Sequence, residues 1–392
     1  MKVAIIHDYL NQYGGAERVL ESLLKIFPDA HIYTLLYDKN RTLGKFHNNI
    51  HKTSFLDFGL VRLNHRPFIP LMPTAVSTMT VDDDYDLVIS ATAGYAKGVS
   101  IRHRKENKSN PFHLSYCYTP LRYAWEIDNY FANPIFKTVF RPAFNYLKNW
   151  DREAAQKPDV LLTISKFIAG KIKAYYGREA EVIYPPVDYT KFHLEIRNPK
   201  SEIRNYYLAV GRLLHYKKFD LIVEAFRELG APLKIVGMGP EYHKIKNQIS
   251  PKHPPAGGAT GQVNISAQGG SASGGKNIEL IPFVSDDELR KLYNGAQALI
   301  FPQVEDFGLT AAEAQACGTP VIAFRGGGAL EIVGDGVTGI FFEKQNVESL
   351  IQAVRRFEKL KFNRRKISQI SRRFTFESFR KGLLSKLPKE IL

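Results

Sequence analysis

The chain has 392 residues, 44% hydrophobic and 12% aromatic, which is too long for one ordinary hydrophobic core and too apolar for a disordered chain. A net charge of +15 favours anionic partners, but no helix-turn-helix, zinc-finger spacing or RNP-like aromatic motif accompanies it, so nucleic acid is not an expected partner. No apolar run is long enough to span a bilayer, no cleavage site follows "MKVAIIHDYL", and Cys117 and Cys317 are far apart in sequence; together these predict a cytoplasmic protein with two buried, reduced thiols.

The N-terminal half alternates β-type runs with helical ones. "KVAIIHD" predicts a strand and "AERVLESLLKIF" a helix; the strands "HIYTLLYD", "DLVISAT", "HLSYCYTP", "DVLLTIS" and "EVIYPP" follow. Such alternation implies a parallel sheet covered on both faces. Between the first strand and helix, "NQYGGAERV" sets Gly14 and Gly15 where backbone N–H groups can approach an anion, although a Gly-Gly turn alone is a weak signal. "FGLVRLNHRPFIPLMP", residues 58–73, mixes basic and apolar residues and reads either as a solvated face or as a membrane-surface contact. "DDDYD", Asp82 to Asp86, lies at the amino end of the strand "LVIS" and reads as a solvated turn rather than a metal site.

At Pro185 and Pro186 the rhythm breaks, and after a polar stretch it restarts with "YYLAVGRL", "LKIVGMG", "IELIPFV", "ALIFPQ", "PVIAFRG" and "TGIFFE". The expectation is an α/β chain of two doubly wound units, residues 1–188 and 189–374, with a helix at about 375–392 packing back on the first. Two such units leave a cleft, and ligands of open parallel sheets sit at the carboxyl ends of the strands. "AVGRLLHYKKFD" puts Arg212 at one such end and Lys217 at the start of the next helix, a pair of cations suited to a diphosphate. Residues 251–276 are rich in Gly, Ala and Ser, lack the Walker Lys-Ser/Thr, and read as a flexible surface insertion.

"VEDFGLTAAEAQACGTPVIAF" then predicts loop, helix over Leu309 to Ala316, turn and strand. Glu305 precedes that helix and Glu313 lies within it. Even a wholly helical pair eight apart would diverge by roughly 80°, which argues against a close acid/base dyad. On spacing alone, Glu305 favours the positive helix end and Glu313 is a solvated helix residue. The amides of Gly308, Leu309 and Thr310 fall at the helix N-terminus, facing the cleft. The last basic stretch, "RRFEKLKFNRRKISQISRRF" at 355–374, poses the same choice between solvated face and membrane contact.

In order and spacing, "GGAER", "LTISKF", "VIYPPVD", "GRLLHYKK", "FVSDDEL", "EDFGLTAAEAQACGTPVIA" and "GGGALEIVGDGVTGIFF" resemble the retaining GT-B glycosyltransferases of family 4. The resemblance implies two Rossmann-like domains across a cleft, the first for acceptor and the second for nucleotide-sugar donor, with no metal and no cofactor. It implies that Glu313 accepts hydrogen bonds from ribose hydroxyls, that Glu305 holds the sugar hydroxyls, and that Phe307, Gly308 and Leu309 meet phosphate and sugar. "CYTPLRYAWE" and "WDREAAQKPDVLLTISKFIA" are similar to bacterial mannosyltransferases that use GDP-mannose to extend lipid-linked O-antigen or capsule glycans. That branch implies a polyprenyl-diphosphate-linked acceptor and a peripheral place on the inner face of the plasma membrane. One position departs: Tyr118 stands where such enzymes usually carry His, offering a hydroxyl contact but a poor base at neutral pH. A UDP-sugar donor, a non-transferring relative such as an epimerase or phosphorylase, and a non-catalytic sugar-nucleotide-binding protein remain as alternatives.

Overall fold

The computed structural model describes residues 1–82, 84–102, 110–127, 134–195, 205–250 and 277–391; the 251–276 insertion lies outside them. The chain forms two compact units, one made of Met1–Pro186 and Phe376–Leu392 and the other of Val187–Thr375.

In the first unit the strands are β1 (Val3–Leu10), β2 (His31–Tyr37), β3 (Ile50–Thr53), β4 (Thr80–Val81), β5 (Leu87–Thr92), β6 (Ser100–Ile101), β7 (Phe112–Cys117), β8 (Val160–Thr163) and β9 (Glu181–Val182). Seven of them form one sheet in the order β3-β2-β1-β5-β7-β8-β9, while β4 and β6 pair separately. Both faces of β5, "LVISAT", are buried, as a parallel strand covered on both sides requires. Helix Gly15–Ile26 lays Val19, Leu20 and Leu23 inward, the i, i+1, i+4 stripe of a half-buried helix. The returning helix Phe376–Leu384 sets Phe379 edge-on to Tyr116, with ring centroids 5.6 Å apart.

The second unit adds β10 (Tyr206–Val210), β11 (Leu233–Val236), β12 (Ile278–Ile281), β13 (Ala296–Phe301), β14 (Val321–Phe324) and β15 (Gly339–Phe342). Their order is β12-β11-β10-β13-β14-β15, all parallel. Chain direction across the sheet therefore reverses between β10 and β13, and the loops leaving those two strands diverge over a crevice where open α/β sheets bind ligands. Helix Phe219–Leu229 buries Phe219, Ile222, Val223 and Phe226 on one side of this sheet, joined by Leu350, Ile351 and Val354 of helix Val347–Glu358.

Candidate functional site

The reversal point of the second sheet collects most of the charged candidates. The loop leaving β10 carries Arg212 and Lys217, and the loop leaving β13 carries Glu305. Lys217 closes a short 3-10 turn, His215–Lys217, rather than opening the long helix, because Lys218 takes a left-handed conformation (φ 57°) and caps that helix. A non-glycine residue there is uncommon and strained, which is a frequent mark of a functional turn. Lys217 Nζ then lies 2.9 Å from Glu305 Oε1, with side chains 16% and 18% exposed. Oε1 is buried, and no donor other than this ammonium reaches it among the described residues. Arg212 differs: it is exposed, and its guanidinium has no partner among the described residues.

Behind Glu305, helix Leu309–Ala316 starts at Gly308, whose φ of 108° suits glycine and whose Cβ, if present, would stand 2.9 Å from Phe301. Gly308 O accepts from Ala311 and Ala312, and the amides of Leu309 and Thr310, at the positive end of the helix, have no acceptor among the described residues. Phe307 is buried edge-on against Phe374 at 5.3 Å and anchors the loop. Glu313 is not a solvated helix residue: it is 6% exposed and accepts from the fully buried Tyr293 hydroxyl at 3.2 Å. The helix thus holds one carboxylate inward, while the loop before it holds the other against Lys217.

The remaining candidates lie in the first unit. Gly14 caps helix Gly15–Ile26, but its N–H donates to Glu17 Oε2 at 2.7 Å, so the buried Glu17 carboxylate already occupies that amide. Tyr118 is 8% exposed, its hydroxyl donates to Ala16 O at 3.3 Å, and burial pushes its ionisation well above the usual phenol range. Its ring meets His7 edge-on with centroids 6.3 Å apart, and His7 Nδ1 is buried without a hydrogen-bond partner. At the reversal point of this sheet, between β1 and β5, Asp8 accepts from Ala93 N (2.6 Å), Tyr95 N (2.9 Å) and Ala96 N (2.6 Å). The nest of amides that would hold an anion there is filled by the chain's own carboxylate. In the second unit Arg212 and the amides of Leu309 and Thr310 are open among the described residues while Lys217 is paired with Glu305; the anion-binding groups of the first are largely satisfied internally.

Residues 193–374 match the family model "Glycosyl transferases group 1". Among curated proteins, an uncharacterized glycosyltransferase of Methanocaldococcus jannaschii is 30% identical over 202 residues, 51% of this chain and 50% of that protein. A D-inositol 3-phosphate glycosyltransferase of Nocardioides is 27% identical over 225 residues, 53% of this chain and 47% of that one. The chain spans about half the length of the curated relatives it matches. Among solved structures, Anabaena HepE in complex with UDP superposes with a TM-score of 0.68 at 17% identity, over 99% of this chain and 100% of that one. Sucrose-phosphate synthase from Thermosynechococcus elongatus gives 0.66 at 15%, over 98% of each. The fold is GT-B, and within it residues 193–374 are similar to the group 1 glycosyltransferases.

Several residues that build the second unit's crevice were given no role of their own by the sequence. Gly328 N donates to Glu305 O at 2.8 Å, and a Cβ at Gly328 would lie 2.2 Å from Phe307 O, so the loop after β14 must be glycine to seat the Glu305 loop. The run "GGG" at a strand's carboxyl end was the available signal. Tyr293, which orients Glu313, gave none. In the basic stretch 355–374, Arg356 donates to Phe341 O, Arg364 to Cys317 O and Arg373 to Glu331 O, so these three cations close backbone carbonyls within the domain.

Proposed function

We propose that this protein is a retaining, metal-independent glycosyltransferase that moves a sugar, mannose from GDP-mannose, onto a lipid-linked or oligosaccharide acceptor in bacterial surface polysaccharide synthesis. The observation that carries the reading is the convergence, at one sheet's reversal point, of Lys217, Glu305 and the open amides of Leu309 and Thr310. A diphosphate needs cations and free N–H donors, and a transferred sugar needs a fixed acceptor of hydroxyl hydrogen bonds. Arg212 and Lys217 would stabilise the charge that grows on the β-phosphate as the sugar departs, and the departing phosphate oxygen would take the acceptor's proton. Glu313, held by Tyr293, is poised to accept from ribose hydroxyls. Tyr118 then serves by contact rather than as a base, since its hydroxyl stays protonated at neutral pH.

Thermal unfolding with a panel of nucleotide sugars tests the donor. GDP-mannose should raise the midpoint, because a ligand at 100 times its Kd stabilises by about 2.7 kcal/mol. A rise with UDP-sugars and none with GDP or GDP-mannose would overturn the guanine assignment. The UDP-sugar reading is the second one, favoured by the UDP and UDP-glucose held in the Anabaena HepE structures.

For the acceptor, the same proposal places the first unit on an anionic membrane face. Phe55, Phe58, Leu60, Leu63 and Leu71 are exposed there (59%, 46%, 65%, 70% and 48%), near the exposed Lys52 and Arg66, and no helix among the described residues is long and apolar enough to cross a membrane. Each cation near such a surface contributes on the order of 1 kcal/mol, and the side chains add apolar insertion. The protein should sediment with anionic vesicles, less so as salt rises, and the Leu60→Ser/Leu63→Ser variant should sediment less. Equal sedimentation with neutral vesicles, or none with either, would count against the membrane site.

A further inference from the structure

Two cations flank the crevice of the second unit, yet only one is neutralised in place. Lys217 is largely buried and sits 2.9 Å from Glu305 Oε1, whereas Arg212 is exposed and unpartnered among the described residues. Neither member of the pair is loosely held. The Glu305 backbone is fixed by Gly328 N at 2.8 Å, and the turn carrying Lys217 is closed by its own N–H to Leu214 O at 2.9 Å. Glu305 Oε1 is buried and, beside the Lys217 ammonium, meets no other donor among the described residues, so it can take further hydrogen bonds.

We propose that Glu305 sets the site's preference for a sugar-bearing nucleoside diphosphate over the bare nucleoside diphosphate, by competing with phosphate for Lys217. The inference rests on the reading that the crevice binds a nucleotide sugar. A phosphate arriving at Lys217 must displace the carboxylate or share the ammonium with it, and either arrangement places two anions side by side. A sugar on the diphosphate relieves this by donating its hydroxyls to the carboxylate, in place of the ammonium that the phosphate draws away. A bare diphosphate brings no such donors. It therefore binds with the repulsion uncompensated, and once the sugar has been transferred the carboxylate reclaims Lys217 and helps expel the product. Glu305 in this role is a specificity-determining residue whose effect passes through Lys217.

The experiment is calorimetric titration with GDP, GDP-mannose, UDP and UDP-glucose, on wild type, Glu305→Gln, Lys217→Ala and the double variant. Glutamine keeps the shape and removes the charge. Glu305→Gln should bind the favoured bare diphosphate about tenfold more tightly and its sugar conjugate no more tightly, so that the ratio of their affinities falls. In the Lys217→Ala background the same substitution should tighten diphosphate binding less, because the competition for the ammonium is gone and only direct repulsion is relieved. Equal diphosphate affinity in wild type and Glu305→Gln overturns the proposal, as does a tightening that is undiminished without Lys217. If the diphosphates and their sugar conjugates bind neither wild type nor Glu305→Gln, the nucleotide-sugar reading itself fails, and this inference with it. Binding of both to wild type with an unchanged ratio in Glu305→Gln removes only the inference. Thermal melts of each variant keep a folding defect separate from either outcome.

Discussion

Lys217→Ala is expected to lower kcat by about 10²–10³ at saturating donor, equivalent to roughly 2.7–4 kcal/mol of lost transition-state stabilisation. Cleavage of the donor adds negative charge to the β-phosphate, so a cation aimed there is favoured more in the transition state than in the ground state. Arg212→Ala should cost less. Its guanidinium is exposed and screened by water, whereas the Lys217 ammonium is 16% exposed and its field is weakened less by solvent. Arg212→Lys keeps the charge and loses the planar fork, so its loss would measure bidentate recognition of phosphate. Steady-state kinetics with circular dichroism as a folding control decides the matter. An unchanged kcat in folded Lys217→Ala would remove that residue from the mechanism.

Asp151→Ala should be the most destabilising single change in the first unit. Lys97 and Asp151 are both fully buried and lie 2.5 Å apart. The same carboxylate also accepts from Trp125 Nε1 (2.7 Å), the Tyr176 hydroxyl (2.8 Å) and Leu121 N (3.3 Å), while Lys97 Nζ donates to Gly94 O. Deleting the carboxylate leaves a buried ammonium without its counter-charge, at a cost of about 3–5 kcal/mol. A matched Lys97→Met/Asp151→Leu replacement should recover much of that loss, because it removes both charges together. Urea denaturation followed by tryptophan fluorescence reads this directly, since Trp125 and Trp150 both lie in the first unit. A loss below about 1 kcal/mol for Asp151→Ala would show that water reaches the pair.

The alternating layers were legible because β-strand and helix periods are written locally. "LVISAT" has the unbroken apolar run of a strand buried on both faces, and "LTAAEAQA" the composition of a helix; the structure places them at Leu87–Thr92 and Leu309–Ala316. The position of Arg212 at a strand's carboxyl end was legible for the same reason. Lys217 was read as opening a helix, because nothing in "HYKKFD" announces that Lys218 adopts a left-handed conformation. The environment of Glu313 was not legible either. Its burial follows from Tyr293, twenty residues earlier on another helix, and the solvated alternative falls only when that contact is seen.

By itself, then, the amino-acid order determined the period of each element, and with it two parallel doubly wound sheets, since short apolar runs separated by amphipathic helices have few other ways to bury both faces. It also determined which residue types stand at the strand ends. Only the tertiary structure decided which of those residues meet. That Glu305 neutralises Lys217 while Arg212 is left open, that Asp8 and Glu17 fill the anion-binding amides of the first unit, and that Asp151 gathers four donors all depend on groups dozens of residues apart or on a single backbone turn. Charge pairing over such separations is set by how packed elements direct side chains, and a one-dimensional period carries no information about that direction.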